Sequence, residues 1–97
     1  MVDYEFNNTN PYWSNEDGYN ELFLHAMQNY FNDKLYADGC VTLNDVLTQL
    51  GFPVDDSIVE NWRWKLNEDG FVDFRIEQDL ETNFFNLHFN IKEDNNG

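Results

Sequence analysis

The sequence predicts an α+β fold, with N-terminal helices packed on one face of a three-stranded antiparallel β-meander. Two observations carry this expectation. Through Leu50, apolar side chains recur at helical spacing, and from Asn61 onward they recur at every second position. A chain that changes period once, from helix to strand, belongs to the class that segregates its helices from its sheet.

The helical half divides in two. Tyr19, Leu22, Phe23, Ala26, Met27, Tyr30, Phe31 and Lys34 share one helical face, and all but the last are apolar. This stripe is expected to pack into the core. Ser14 followed by Asp17 reads as a capping box that opens the helix, and Gly39 stands where an αL residue would end it. Cys40-Val41 reads as a short extended piece. Thr42 with Asp45 is a second capping box, Leu43, Val46, Leu47 and Leu50 make one apolar face, and Gly51 with Pro53 stops the helix. Asp55 or Asp56 is placed to cap a brief third helix through Ile58 and Val59.

The strand half reads as three segments. Trp62, Trp64 and Leu66 alternate with Arg63 and Lys65, and Val72, Phe74 and Ile76 with Asp73 and Arg75. Phe85, Leu87, Phe89 and Ile91 alternate with Asn86, His88 and Asn90. Face parity then predicts a hairpin through Glu68-Asp69-Gly70, which sets Lys65 opposite Asp73 and Arg63 opposite Arg75. The connection from Glu77 to Asn83 is longer and polar. Residues 1–15, rich in Asn and carrying Pro11, are expected as an arm, 16–92 as the α+β domain and 93–97 as a disordered tail.

Charge narrows the function classes. Nineteen acidic residues against five basic ones give −14 at pH 7, and the carboxylates run from Asp3 to Asp94. Such a surface repels phosphate backbones and anionic membranes, so the expected partner is a basic protein, with no direct nucleic acid and no membrane. A second copy of the chain, forming a homodimer, is the alternative partner. With one cysteine, no basic-apolar N-terminal run and no apolar span near the ~20 residues of a membrane helix, a cytoplasmic protein is expected.

Motifs for chemistry are absent. EF-hand loops anchored on Gly70, Gly39 or Gly18 would start at Lys65, Lys34 or Trp13, none of them a carboxylate. Two distant histidines and Cys40 make no zinc pattern, and nothing in its context marks Cys40 as an activated nucleophile. No phosphate-binding glycine loop or nucleophile elbow occurs. The expectation is a non-enzyme without metal or cofactor.

The deduced hairpin gathers Arg63, Lys65 and Arg75 on the outer sheet face, beside Asp73, Asn86, Asn90 and His88, with Phe71 and Phe84 at its margins. That mixed polar and aromatic patch is the first candidate for partner binding. Asp55, Asp56 and Glu60 are the acidic candidates. The order of elements from Cys40 also matches a winged helix in outline. There the helix near Ile58 to Glu60 would read DNA, but it opens on Asp55-Asp56, the wrong sign for phosphate.

The stretch FNDKLYADGCVTLNDVLTQLGFP, then Trp62, GFVDF and LHFNI, resembles a module of phage and prophage proteins of Gram-positive bacteria. It is similar there to the C-terminal domain of a family of unknown function that sometimes carries a holin-like label. This chain lacks the hydrophobic N-terminal region of such a label. The resemblance implies a phage accessory protein, either an inhibitor of a nucleic-acid-handling host protein or a structural and assembly module.

Overall fold

A computed structural model describes residues 2–16, 18–54 and 62–93. Among the described residues, two helices and six strands follow in chain order: β1 (Val2–Phe6), α1 (Tyr19–Asp38), β2 (Cys40–Thr42), α2 (Leu43–Gln49), β3 (Trp62–Lys65), β4 (Glu77–Gln78), β5 (Phe85–Phe89) and β6 (Lys92–Glu93). The strands form two three-stranded antiparallel sheets instead of one meander. Sheet A has the order β1-β5-β4 and sheet B the order β2-β3-β6.

The segment expected as an arm holds a strand. Val2, Tyr4 and Phe6 alternate with Asp3 and Glu5, and β1 pairs along its whole length with β5, from Val2 opposite Phe89 to Phe6 opposite Phe85. Eight residues later Ser14 is fixed in an unexpected way. It caps nothing on α1, which starts after Gly18 at φ 78° without a side-chain cap. Instead the Asn20 side-chain amide donates to Ser14 O at 2.7 Å, and its oxygen accepts from Ser14 N at 2.9 Å.

Helix α1 ends as expected, with Gly39 at φ 81° donating to Leu35 O. Its buried stripe is another matter. Asn20, Leu24, Phe31 and Leu35 face the core; of the expected stripe Phe31 is among them and Phe23 and Met27 pack against the core, whereas Tyr19, Leu22, Ala26 and Tyr30 are exposed. Two apolar stripes run along this helix, and aromatic weight alone does not say which one is inside. Helix α2 follows its sequence signals closely. Asp45 N donates to the Thr42 hydroxyl at 3.2 Å, and Leu43, Val46, Leu47 and Leu50 are fully buried.

The expected hairpin between residues 62–66 and 72–76 does not form. Strand β3 lies between β2 and β6, so Lys65 stands opposite Cys40, and Arg63 opposite Thr42 and Lys92. Gly70 does take a positive φ of 78°, but the turn before it is closed by Asp69, whose N donates to Lys65 O and whose carboxylate accepts from Lys65 N. Val72 and Phe74 are buried as expected. Their main chain, however, is held by α1. Asn32 accepts from Val72 N at 2.7 Å and donates to Val72 O at 2.8 Å, and Gln28 Oε1 accepts from Phe74 N at 2.8 Å. The two amides supply what a neighbouring strand would have supplied.

On its other side this segment meets the end of β5. His88 N donates to Phe74 O, and Asn90 N to Asp73 O. Asn90 follows β5 directly, where the chain leaves sheet A for sheet B. Its Oδ1 accepts from Trp64 Nε1 at 2.6 Å and from Asp73 N at 2.9 Å, and its Nδ2 donates to Phe71 O at 3.0 Å. One side chain thereby joins β3, the 71–73 segment and the crossover. Above it Trp64 meets Phe89 edge-on at 6.0 Å, and Phe74 meets Phe89 at 5.2 Å.

A single core results, built from Phe6, Phe85, Leu87 and Phe89 of sheet A, Val41 and Trp64 of sheet B, and the inner faces of both helices. The expected third helix, with Asp55, Asp56 and Glu60, lies outside the described residues, as does residue 17. Glu93, expected in the tail, pairs with Trp62 in β6, and residues 94–97 lie outside the described residues.

The Asn32 clamp yields a test. Asn32→Ala strands both main-chain groups of Val72 and is expected to cost about 2–4 kcal/mol of unfolding free energy in urea titration. Asn29→Ala, on the exposed side of the same helix, is expected to stay within about 0.5 kcal/mol. Gly51→Ala is expected to destabilise too. Its φ of 84° disfavours a side chain, and an added Cβ would lie 2.6 Å from Asn10 Oδ1 and 2.8 Å from the Tyr12 ring.

Candidate protein-binding faces

Splitting the strands into two sheets splits the expected patch. The outer face of sheet B carries Arg63 and Lys65 from β3, Cys40 and Thr42 from β2, and Lys92 from β6. Three of the five basic residues therefore do share one face, but the third is Lys92 and not Arg75. Arg63 and Lys92 stand directly opposite in the β3–β6 pair. Lys65 Nζ has Glu68 at 4.0 Å.

Asn86 and His88 belong to a different surface, the outer face of sheet A. In register, Glu5, Asn86 and Glu77 form one cross-strand row, and Asp3 and His88 form the next. These rows hold three carboxylates and no lysine or arginine. The His88 ring bridges two of the acids, with Nδ1 at 3.0 Å from Asp3 Oδ1 and Nε2 at 3.9 Å from Glu77 Oε2. Beyond β4 the turn from Asp79 to Phe84 adds Asp79 and Glu81. It is closed by Asn83 N on Asp79 O and Asp79 N on Phe84 O.

Phe71, Asp73 and Arg75 lie in the segment held against α1 and β5. Phe71 is exposed, and its carbonyl is taken by Asn90. The Asp73 carboxylate accepts from Arg75 N, and Arg75 itself sits at φ 48°, a rare setting for an arginine. Neither stands opposite β3. Thus Arg63 and Lys65 are together on sheet B, Asn86 and His88 are together on sheet A, and Phe71, Asp73 and Arg75 belong to the segment that meets the end of β5 through His88 N and Asn90 N.

Asp3, Glu5, Glu77 and Lys92 were missed as site residues. The alternation in VDYEF already placed Asp3 and Glu5 on one face, a period-two signal hidden beside the Asn-rich stretch that follows. Lys92 stands last in the expected domain, and nothing in its local sequence marks it as a strand residue.

An open cleft of about 440 Å³ lies at the start of α1. Trp13 and Phe84, in edge contact at 5.7 Å, form one wall, and Glu16 and Glu21 stand at its edge. The Asn20 amide in its lining is already committed to Ser14. His25, His88 and Cys40 sit on α1, sheet A and sheet B, and His25 has Glu21 at 3.9 Å. No three His, Cys, Asp or Glu among the described residues are grouped to hold a metal ion. No described helix is long and apolar enough to cross a membrane.

The chain belongs to a family of unknown function (DUF6353), whose model matches residues 5–95. That span takes in both helices, all of sheet B, sheet A apart from Val2, Asp3 and Tyr4, and every residue of the two charged faces except Asp3. No curated protein and no solved structure matches the chain. The family description assigns no activity, so function has to be argued from the surfaces themselves.

Two titrating groups give a pH signature. Burial against Phe52, at 5.0 Å, and Phe89, at 5.8 Å, pushes the Tyr4 phenol above its ordinary 10.0. A hydrogen bond from the exposed Lys34 to Asp38, reinforced by the carboxylate's charge, holds its ammonium above the ordinary 10.5. Both folded-state values lie above the unfolded ones, so each contribution is fully present below the unfolded value and is lost as pH rises through the folded one. Unfolding midpoints are therefore expected to fall above about pH 10. Tyr4→Phe is expected to make that alkaline fall shallower, and an unchanged slope would exclude Tyr4 as a source.

Proposed function

We propose that this protein acts by binding a basic protein, in the manner of a small phage inhibitor directed at a host protein that handles nucleic acid. The observation that carries the reading is the carboxylate grouping on the outer face of sheet A, within a chain of −14 net charge. Asp3 and Glu5 project from β1 and Glu77 from β4, two strand steps of roughly 4.8 Å apart across β5, which carries Asn86 and His88 between them. Carboxylates at such spacing offer lysine and arginine side chains several acceptors at once, and their summed field steers a basic surface toward them. The same field disfavours duplex phosphate and anionic lipid.

Sheet B supports a defined orientation. With Arg63, Lys65 and Lys92 on its outer face, the molecule carries a cationic face as well as an acidic one, so a partner is turned and not merely attracted. Phage origin and the inhibitory role come from the resemblance of Phe31–Pro53, Gly70–Phe74 and Leu87–Ile91 to phage modules, and stand as part of the proposal. The cytoplasm of the infected cell is the proposed place of action.

Affinity capture from a lysate of a Gram-positive bacterium, at low and at high salt, tests the reading. Basic proteins are expected to be retained at low salt and released at high salt. A bait with Asp3→Asn, Glu5→Gln and Glu77→Gln is expected to retain less of them. Recovery of no basic protein, or only of salt-insensitive ones, would reject the electrostatic mode of binding.

A further inference from the structure

Helix α1 carries more apolar surface than the core uses. The inner stripe is complete with Asn20, Leu24, Phe31 and Leu35. At 100° per residue, Tyr19, Leu22, Ala26 and Tyr30 form a second line rotated by about a third of a turn. All four are exposed, with Leu22 at 69% and Tyr30 at 51%. Asp33 follows on the same line one turn beyond Tyr30 and ends its apolar part, while Tyr36, at 80%, lies about 100° around the helix from Tyr19. From Tyr19 to Tyr30 the distance is about 17 Å along the axis, enough to seat a helix of about three turns.

The near end of this surface is braced from below. The Tyr19 ring stacks on Phe23 at 6.4 Å, and Phe23 in turn touches Tyr12 at 5.8 Å and the fully buried Phe6 at 5.7 Å. Beside it a shallow groove of about 240 Å³ opens between Gly18, Glu21, Leu22 and His25. Rigid aromatic anchors with little rotamer entropy to lose are what interface centres use.

We propose that this face of α1 is a docking surface for a cationic amphipathic helix of a partner protein; the proposal rests on the reading that the partner is basic. Charge complementarity selects the occupant. The exposed carboxylates of α1 are Glu21, Asp33 and Asp38, and its one lysine, Lys34, has Asp38 at 3.4 Å. A helix with leucines toward Leu22 and Ala26 would set its flanking lysines or arginines against those acids and over the Tyr19 and Tyr30 rings. A second copy of this chain would instead bring the same carboxylates against their equivalents, on a body of −14.

The test uses an 18-residue amidated peptide of leucine and lysine patterned as an amphipathic helix. A peptide of the same composition, scrambled to have no apolar face, serves as its control. Binding is measured by isothermal titration to the full chain and to the double variant Leu22→Ser, Tyr30→Ser, which keeps the net charge. The patterned peptide is expected to bind, and the variant to weaken it about tenfold or more, as loss of interface anchors does. The scrambled peptide is expected to bind weakly and with no regard to the variant. Circular dichroism and the urea midpoint of the variant are expected to match the parent, since both side chains are exposed.

Equal binding of the two peptides, unmoved by the variant, would overturn the docking surface while leaving the basic-partner reading intact. Binding of neither peptide would overturn both. A dimer of the free protein in sedimentation equilibrium, dissolved by the double variant, would give the surface to a second copy and overturn the cationic occupant.

Discussion

A peptide group buried outside a sheet has to find its hydrogen bonds elsewhere, and in this protein side-chain amides provide them. The segment around Val72 and Phe74 crosses the core without a strand partner on the α1 side, yet Asn32 and Gln28 meet its N–H and C=O groups. Asn20 does the same for Ser14, Asn10 donates to Leu50 O, and Asn90 ties Trp64 to the 71–73 segment. Fifteen asparagines in 97 residues are unusual for a folded chain. At least four of them are structural cross-links, and the irregular half of the fold depends on them.

That dependence explains where the sequence was legible. Helix α2 was readable because its signals are local: Thr42 caps within three residues, and the apolar face repeats within eight. Strands β3 and β5 were readable for the same reason, their alternation being a property of consecutive residues. Partnership is not local. Parity correctly put Trp64 and Phe74 in one core, but it could not choose between Val72–Ile76 and Cys40–Thr42 as the neighbour of β3. The deciding groups, Asn32 and Gln28, lie forty and forty-six residues from the atoms they hold.

The candidate site suffered from the same gap. Arg63 and Lys65 share a face because they are two apart in one strand, which any reading would find. Their third companion, Lys92, arrives through sheet B pairing, and the acids around His88 arrive through β1. Helix α1 was misphased for a different reason. Its expected stripe straddles the boundary, with Phe23, Met27 and Phe31 in or against the core and Tyr19, Leu22, Ala26 and Tyr30 outside it. An apolar stripe says that something covers it, but not that the same chain does.

The pairing of β1 with β5 also has a consequence in time. Val2 lies opposite Phe89, so the first strand has no partner until nearly the whole described chain has been synthesised. Closing a loop of that length is entropically slow and favours late assembly. Meanwhile Val2, Tyr4 and Phe6 form an unpaired strand of the kind that joins wrong neighbours. Asp3 and Glu5, interleaved with them, place like charges in register between any two such strands from different copies. The acids offered above as a binding face would thus first act as guards of a strand that has to wait.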